Sequence, residues 1–165
     1  MREDNKSTDT SLQRIIEDPN ERAKELNCLY YIEEILRDRD ADLEKAASRM
    51  IEVMPSGWQY TQLCRVRIVV DSREFTSKDF SETPWSQSAP VFMNEEEVGK
   101  IEVFYMEEVG AGLHSPFLKE EQKLLNTIAG RFGHFLLQLR LQQQQTALGV
   151  NAGILILLAL AAATS

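Results

Sequence analysis

Apolar positions Leu26, Leu29, Tyr30, Ile32, Ile35 and Leu36 recur mainly three and four residues apart, while Glu33, Glu34 and Arg37 take other faces. That spacing predicts an amphipathic helix over 20–37. Ahead of it, Asp18-Pro19-Asn20-Glu21 reads as a start signal, in which Asp18 can cap, Pro19 occupies the first helical position and Glu21 reciprocates. Leu12, Ile15 and Ile16 mark a short helical turn further upstream, after a polar leader. A second helix follows, capped by Asp40 or Asp42, with Leu43, Ala46, Ala47, Met50, Ile51 and Met54 on its inner face, until Pro55-Ser56-Gly57 breaks it.

From there the period falls to two. Across 63–70, Cys64, Val66, Ile68 and Val70 lie on one face and Arg65 and Arg67 on the other, the pattern of a half-buried strand. Arg73-Glu74-Phe75-Thr76 turns back beside it through Asp71-Ser72. A second hairpin is predicted from 85–93 and 98–106, joined by Asn94-Glu95-Glu96-Glu97, because both arms are rich in β-branched and aromatic residues. Pro90 puts its first arm at a sheet edge or a bulge. After a glycine-containing loop over 109–114, Ser115 caps and Pro116 opens a long helix. Its stripe, Leu118, Leu124, Leu125, Ile128, Ala129, Phe132, Phe135, Leu136 and Leu139, is too long for one small sheet to cover. The glutamines at 142–145 extend that helix or link it to an uncharged apolar run over 147–163, which is short of the ~20 residues of a full span yet can serve as a tail anchor.

Several short motifs on these elements point to one kind of module. They are Glu21-Arg22-Ala23-Lys24-Glu25-Leu26-Asn27-Cys28-Leu29-Tyr30, Trp58-Gln59-Tyr60, Glu82-Thr83-Pro84-Trp85-Ser86-Gln87-Ser88, Val98-Gly99-Lys100-Ile101-Glu102-Val103 and Pro116-Phe117-Leu118-Lys119-Glu120-Glu121. With them, the stretch 21–141 resembles the GAF-like sensory domain found upstream of bacterial histidine kinases and phosphoenolpyruvate-synthase-like proteins. The resemblance implies an α+β fold of GAF/PAS type, a small mostly antiparallel sheet flanked by N- and C-terminal helices. It also implies a bacterial, cytoplasmic signal-transduction sensor that binds a small ligand, pairs through its terminal helices and addresses a histidine kinase or another signalling protein. Relatives run on into a charged linker helix and an output domain, whereas here glutamines and an apolar tail follow Leu141. The expected organisation is a polar leader over 1–18, a sensory domain over 19–145 and an apolar tail over 146–165, the tail being a membrane anchor on the inner face or an extra helix.

Composition narrows the partners. At 165 residues the chain suits one domain with appendages. Its formal charge of -8 repels polyphosphate and removes the footing of nonspecific nucleic-acid binding. Two cysteines, Cys28 and Cys64, form neither a CxxC pair nor a disulfide framework and fit a reducing compartment.

Candidate chemistry is sparse. No GxSxG, Walker or HExxH motif is present, His114 and His134 lack metal-ligand spacing, and the adjacent carboxylates diverge, so no enzyme, metal or cofactor is expected. Trp58, Tyr60, Phe80, Trp85, Gln87 and Ser88 occupy loop-to-strand segments and are the expected lining of a sensory pocket; equally, Trp58 and Trp85 can simply cover a small core. Arg65 and Arg67 share a strand face, where they can clamp a carboxylate or phosphate, or form a solvated face paired with Glu102. Leu125, Phe132, Phe135, Leu136 and Leu139 can pack on Leu26, Leu29 and Leu36 within the protomer or across a two-fold axis, and a homodimer is expected. Two functions follow: a ligand-binding sensor signalling through helix-mediated dimerisation, or a ligand-free interaction module with a filled core, tethered to a membrane by its tail.

Overall fold

The computed structural model describes residues 19–110 and 115–164. The leader with its Asp18 cap, and His114 in the glycine-containing loop, lie outside the described residues. Helix α1, Pro19–Arg37, buries Cys28 and Ile32, while Leu26 and Tyr30 from its predicted apolar set face solvent. Helix α2, Leu43–Val53, is capped by Asp42, whose carboxylate accepts from the Lys45 backbone N–H at 2.8 Å. Ala46, Ala47, Met50 and Ile51 form its buried face. At the predicted break the chain enters a 3₁₀ turn, Met54–Gly57, and a second one, Thr61–Leu63.

Four antiparallel strands follow: β1 (Cys64–Val70), β2 (Arg73–Thr76), β3 (Ser86–Met93) and β4 (Glu96–Tyr105), in the spatial order β2-β1-β4-β3. Asp71 and Ser72, with φ of 48° and 68°, supply the left-handed backbone that a two-residue hairpin turn needs to match strand twist. The second hairpin is tighter than its four polar residues predict, because Met93 already pairs with Glu96 and only Asn94-Glu95 remain in the turn. A bulge then follows, Val91 pairing with Gly99 and Phe92 with Glu97. Pro90 sits in β3, an edge strand, where its missing N–H is tolerated.

The helices cover one sheet face, formed by Cys64, Val66, Ile68 and Val70 of β1, Ala89, Val91 and Met93 of β3, and Ile101 and Val103 of β4. The molecule is thus an α+β domain whose core lies between a four-stranded antiparallel sheet and its helices. Helix α3, Lys119–Ala163, starts later than the Ser115-Pro116 signal predicts. Ser115 Oγ instead accepts from Phe117 N–H at 3.2 Å, and the Phe117 ring stacks on Tyr105 at 4.7 Å, which pins the segment to the end of the sheet in a non-helical turn. The helix opening is satisfied by Glu121, whose carboxylate accepts from Leu118 N–H at 2.7 Å. Leu124, Leu125, Ile128, Ala129, Phe132, Phe135 and Leu136 then bury one face, and beyond Leu136 no side chain of the helix is buried. It continues through position 146 without a break, for 45 residues in all, about 68 Å at 1.5 Å per residue.

Candidate functional site

The residues expected to share one pocket fall on opposite faces of the sheet. Trp58 follows the first 3₁₀ turn and is fully buried, its Nε1–H donating to Gln87 Oε1 at 2.6 Å. Gln87 Nε2 donates in turn to Gln122 Oε1 at 3.3 Å, and Gln122 Nε2 reaches the Ser88 carbonyl at 3.2 Å. Ser88 itself contributes only that backbone atom, its side chain being exposed on the other face. Tyr60 meets Tyr105 edge-on at 5.4 Å, and Trp85 is half-buried against the core. Side chains and their hydrogen bonds therefore occupy the space beside Trp58 that a sensory pocket would use.

Glu121, 1 % exposed, completes this inner network. Its Oε1 holds Leu118 N–H, and its Oε2 takes Gln59 N–H at 2.8 Å and the Tyr105 hydroxyl at 3.3 Å. Burial raises its pKa above the ordinary 4.5, an effect that the two backbone N–H groups and the Tyr105 hydroxyl oppose. Tyr105 is pushed far up as well, by burial and then by the neighbouring carboxylate. Sequence reasoning placed Glu121 in a motif without foreseeing its burial, since a glutamate in a polar first helical turn reads as solvated.

On the outer face Arg67 lies opposite Glu102 in the β1–β4 register. Its Nη2 donates to Glu102 Oε2 at 2.5 Å and its Nη1 to Glu82 Oε1 at 2.5 Å, and the guanidinium sits 5.3 Å from the ring centres of both Phe80 and Phe104. Glu102 Oε1 makes no aligned hydrogen bond, yet the Lys100 ammonium is ion-paired with it. Burial works against the Glu102 charge, but Lys100 and Arg67 outweigh it and hold the carboxyl below its usual range. Arg65 Nη1 is engaged by the Gln62 and Cys64 carbonyls at 2.9 Å each. The two arginines form no joint clamp: one is held by carboxylates, the other by backbone. Phe80, expected in the pocket, belongs to this cluster, meeting Phe104 edge-on at 5.1 Å.

The expected dimer residues also divide. Leu125, Phe132, Phe135 and Leu136 are buried in the protomer's own core and cannot reach a second copy, whereas Leu29 and Leu139 are half-buried and Leu26 is 60 % exposed. Tyr30 and Tyr31 extend the exposed patch on α1. Cys28 and Cys64 are free and buried; burial pushes the Cys28 thiol up to about 11 and Cys64 higher still, so neither is poised as a nucleophile. Among the described residues no cluster of three or more His, Cys, Asp or Glu has the geometry to hold a metal ion.

Of the expected ligand residues, Tyr60 borders a surface groove that it shares with Lys24, Gln59, Thr61, Gln62 and Leu63. Another groove, of about 610 Å³, lies between the C-terminal end of α1 and the middle of α3 and is lined by Glu33, Arg37, Asp38, Arg39, Arg131, His134 and their neighbours, with Arg131 paired to Glu33 at 3.5 Å. Neither a protein-family model, nor a curated protein, nor a solved structure matches the chain.

Proposed function

We propose that this chain is a non-catalytic interaction module of the GAF-like signalling type, working as a homodimer and held at the cytoplasmic face of a membrane by the end of α3. The observation that carries this reading is the filled interior: Trp58, Gln87, Glu121 and Tyr105 spend their polar atoms on one another, on Gln122 and on the backbone, where a sensor would keep a recess. Pairing is assigned to the outer side of α1, because Leu26, Tyr30 and Tyr31 stand 55–60 % exposed there and a two-fold contact brings such a patch onto itself. The cytoplasmic side fits two free cysteines and Arg131 and Arg140, which lie within twenty residues of the apolar stretch on its N-terminal side.

Native mass spectrometry of the full chain released from detergent tests the proposal: a species of twice 18.8 kDa without a co-purified small molecule is expected. A stoichiometric small molecule on the protein would replace it by the sensor reading. The groove lined by Arg37, Arg39, Arg131 and His134 together with Glu33 and Asp38 favours that second reading, at a site separate from Trp58 and Trp85. Arg131→Ala is its test, since loss of the bound molecule would locate it in the groove.

A further inference from the structure

Residues 147–163 are seventeen consecutive positions without a charge, all helical, and none is buried. Leu148, Val150, Ile154, Leu155, Ile156, Leu157, Leu158 and Leu160 are each at least 50 % exposed. At 100° per residue these eight side chains point all round the helix axis, leaving no gap wider than about 80°. A helix apolar on every side belongs in a protein core or in hydrocarbon, and here the core is excluded because nothing covers it. A partner protein's groove would satisfy one face and leave the others in water. A helix lying in the headgroup plane needs a polar face, and between Ala147 and Ala163 the only polar side chain is Asn151. Seventeen residues at 1.5 Å each span about 25 Å, at the short end of what crosses a bilayer core.

We infer that 147–163 crosses a bilayer, with lipid hydrocarbon as the occupant of its whole circumference, and that one unbroken helix joins this span to the domain. The inference rests on the membrane attachment proposed above and specifies its form. From Leu136, the last buried side chain, to Ala147 the helix rises about 16 Å through Arg140 and the four neutral glutamines of 142–145, so the domain stands clear of the headgroups. A span this short admits little tilt in a bilayer of ordinary thickness.

The native thiols make a clean test, since Cys28 and Cys64 are 0 % and 1 % exposed and leave an introduced cysteine as the reactive one. Full-length Gln143→Cys and Thr164→Cys are synthesised cell-free beside preformed dioleoylphosphatidylcholine vesicles, floated, and treated with a membrane-impermeant maleimide. Both proteins are expected to float, Gln143→Cys to label in intact vesicles, and Thr164→Cys to label only after detergent. Equal labelling of both in intact vesicles overturns the crossing while leaving attachment in place; failure to float overturns both. Leu157→Arg should lower the ratio of floated to free protein roughly a hundredfold, as a charge at the centre of a span does, and an unchanged ratio also overturns the crossing.

Discussion

Two glycines three positions apart in α3 have opposite reasons to be there. A Cβ on Gly133 would lie 2.0 Å from the Phe92 carbonyl oxygen on the edge strand, so Gly133→Ala must push helix and strand apart. A loss of about 2 kcal/mol or more in urea unfolding is expected. A Cβ on Gly130 meets nothing within 4 Å, and Gly130→Ala should instead raise stability by about 0.5–1 kcal/mol through helix propensity. Glu121 gives a residue-scale pH signature. Its carboxyl binds a proton more tightly folded than unfolded, so its contribution is fully present below the ordinary 4.5 and is lost as pH rises through the higher folded value. Thermal melts between pH 8 and 5 should therefore show a rise in stability on acidification that Glu121→Gln lacks. Glu102 has the opposite sign: its lowered folded pKa stabilises above the ordinary 4.5 and is lost on further acidification. Glu102→Gln should cost about 2 kcal/mol near neutral pH, because it leaves the Arg67 guanidinium with only the solvent-exposed carboxylates of Glu82 and Glu74.

At the scale of elements, period and punctuation made most of the fold legible. The two-residue alternation of Cys64, Val66, Ile68 and Val70 is the buried face of β1, and Asp71-Ser72 and Pro90 mark a turn and an edge as those residue types do elsewhere. Where reading failed, a distant partner decided. Ser115 and Pro116 carry a sound local start signal, but Phe117 gains more from stacking on Tyr105, and Glu121 supplies the acceptor that lets α3 open at Lys119. The scatter of the expected pocket residues has a related reason. Trp58 and Gln87 lie 29 positions apart, and only the packed sheet reveals that each is the other's hydrogen-bond partner. Arg67 was legible because register puts Glu102 directly across from it, while Glu82 reaches it from a loop that no periodicity describes. Leu125, Phe132, Phe135 and Leu136 show that an apolar stripe says it must be covered without saying by what; their cover is this protomer's own sheet and α1.

For the whole molecule, α3 is one continuous helix whose start lies in the core and whose end is an exposed apolar run, so the proposed span and the buried Glu121 network belong to the same 45-residue element. The chain's net charge of -8 adds to this arrangement. With the proposed crossing, anionic headgroups would repel such a domain within a Debye length of about 8 Å, and a neck of about 16 Å would hold it beyond that range. On that proposal, pairing through Leu26 and Tyr30 would take place between domains confined to a plane and similarly oriented, which would raise their effective concentration. The double variant Leu26→Glu, Tyr30→Glu should therefore convert the proposed dimer to a monomer in detergent, read by light scattering, with its melting temperature close to the parent's because both side chains are exposed. Gln144→Pro separates pairing from rigidity. Proline inside the neck removes a helical hydrogen bond and kinks the rod, at about 3 kcal/mol, but lies eight residues beyond the last buried side chain. Distances between spin labels introduced at Asp79→Cys and Thr146→Cys should broaden sharply in that variant while domain melting and dimer mass stay as they were. A distribution as narrow as the parent's would mean that the domain is held to the membrane by contacts other than this helix.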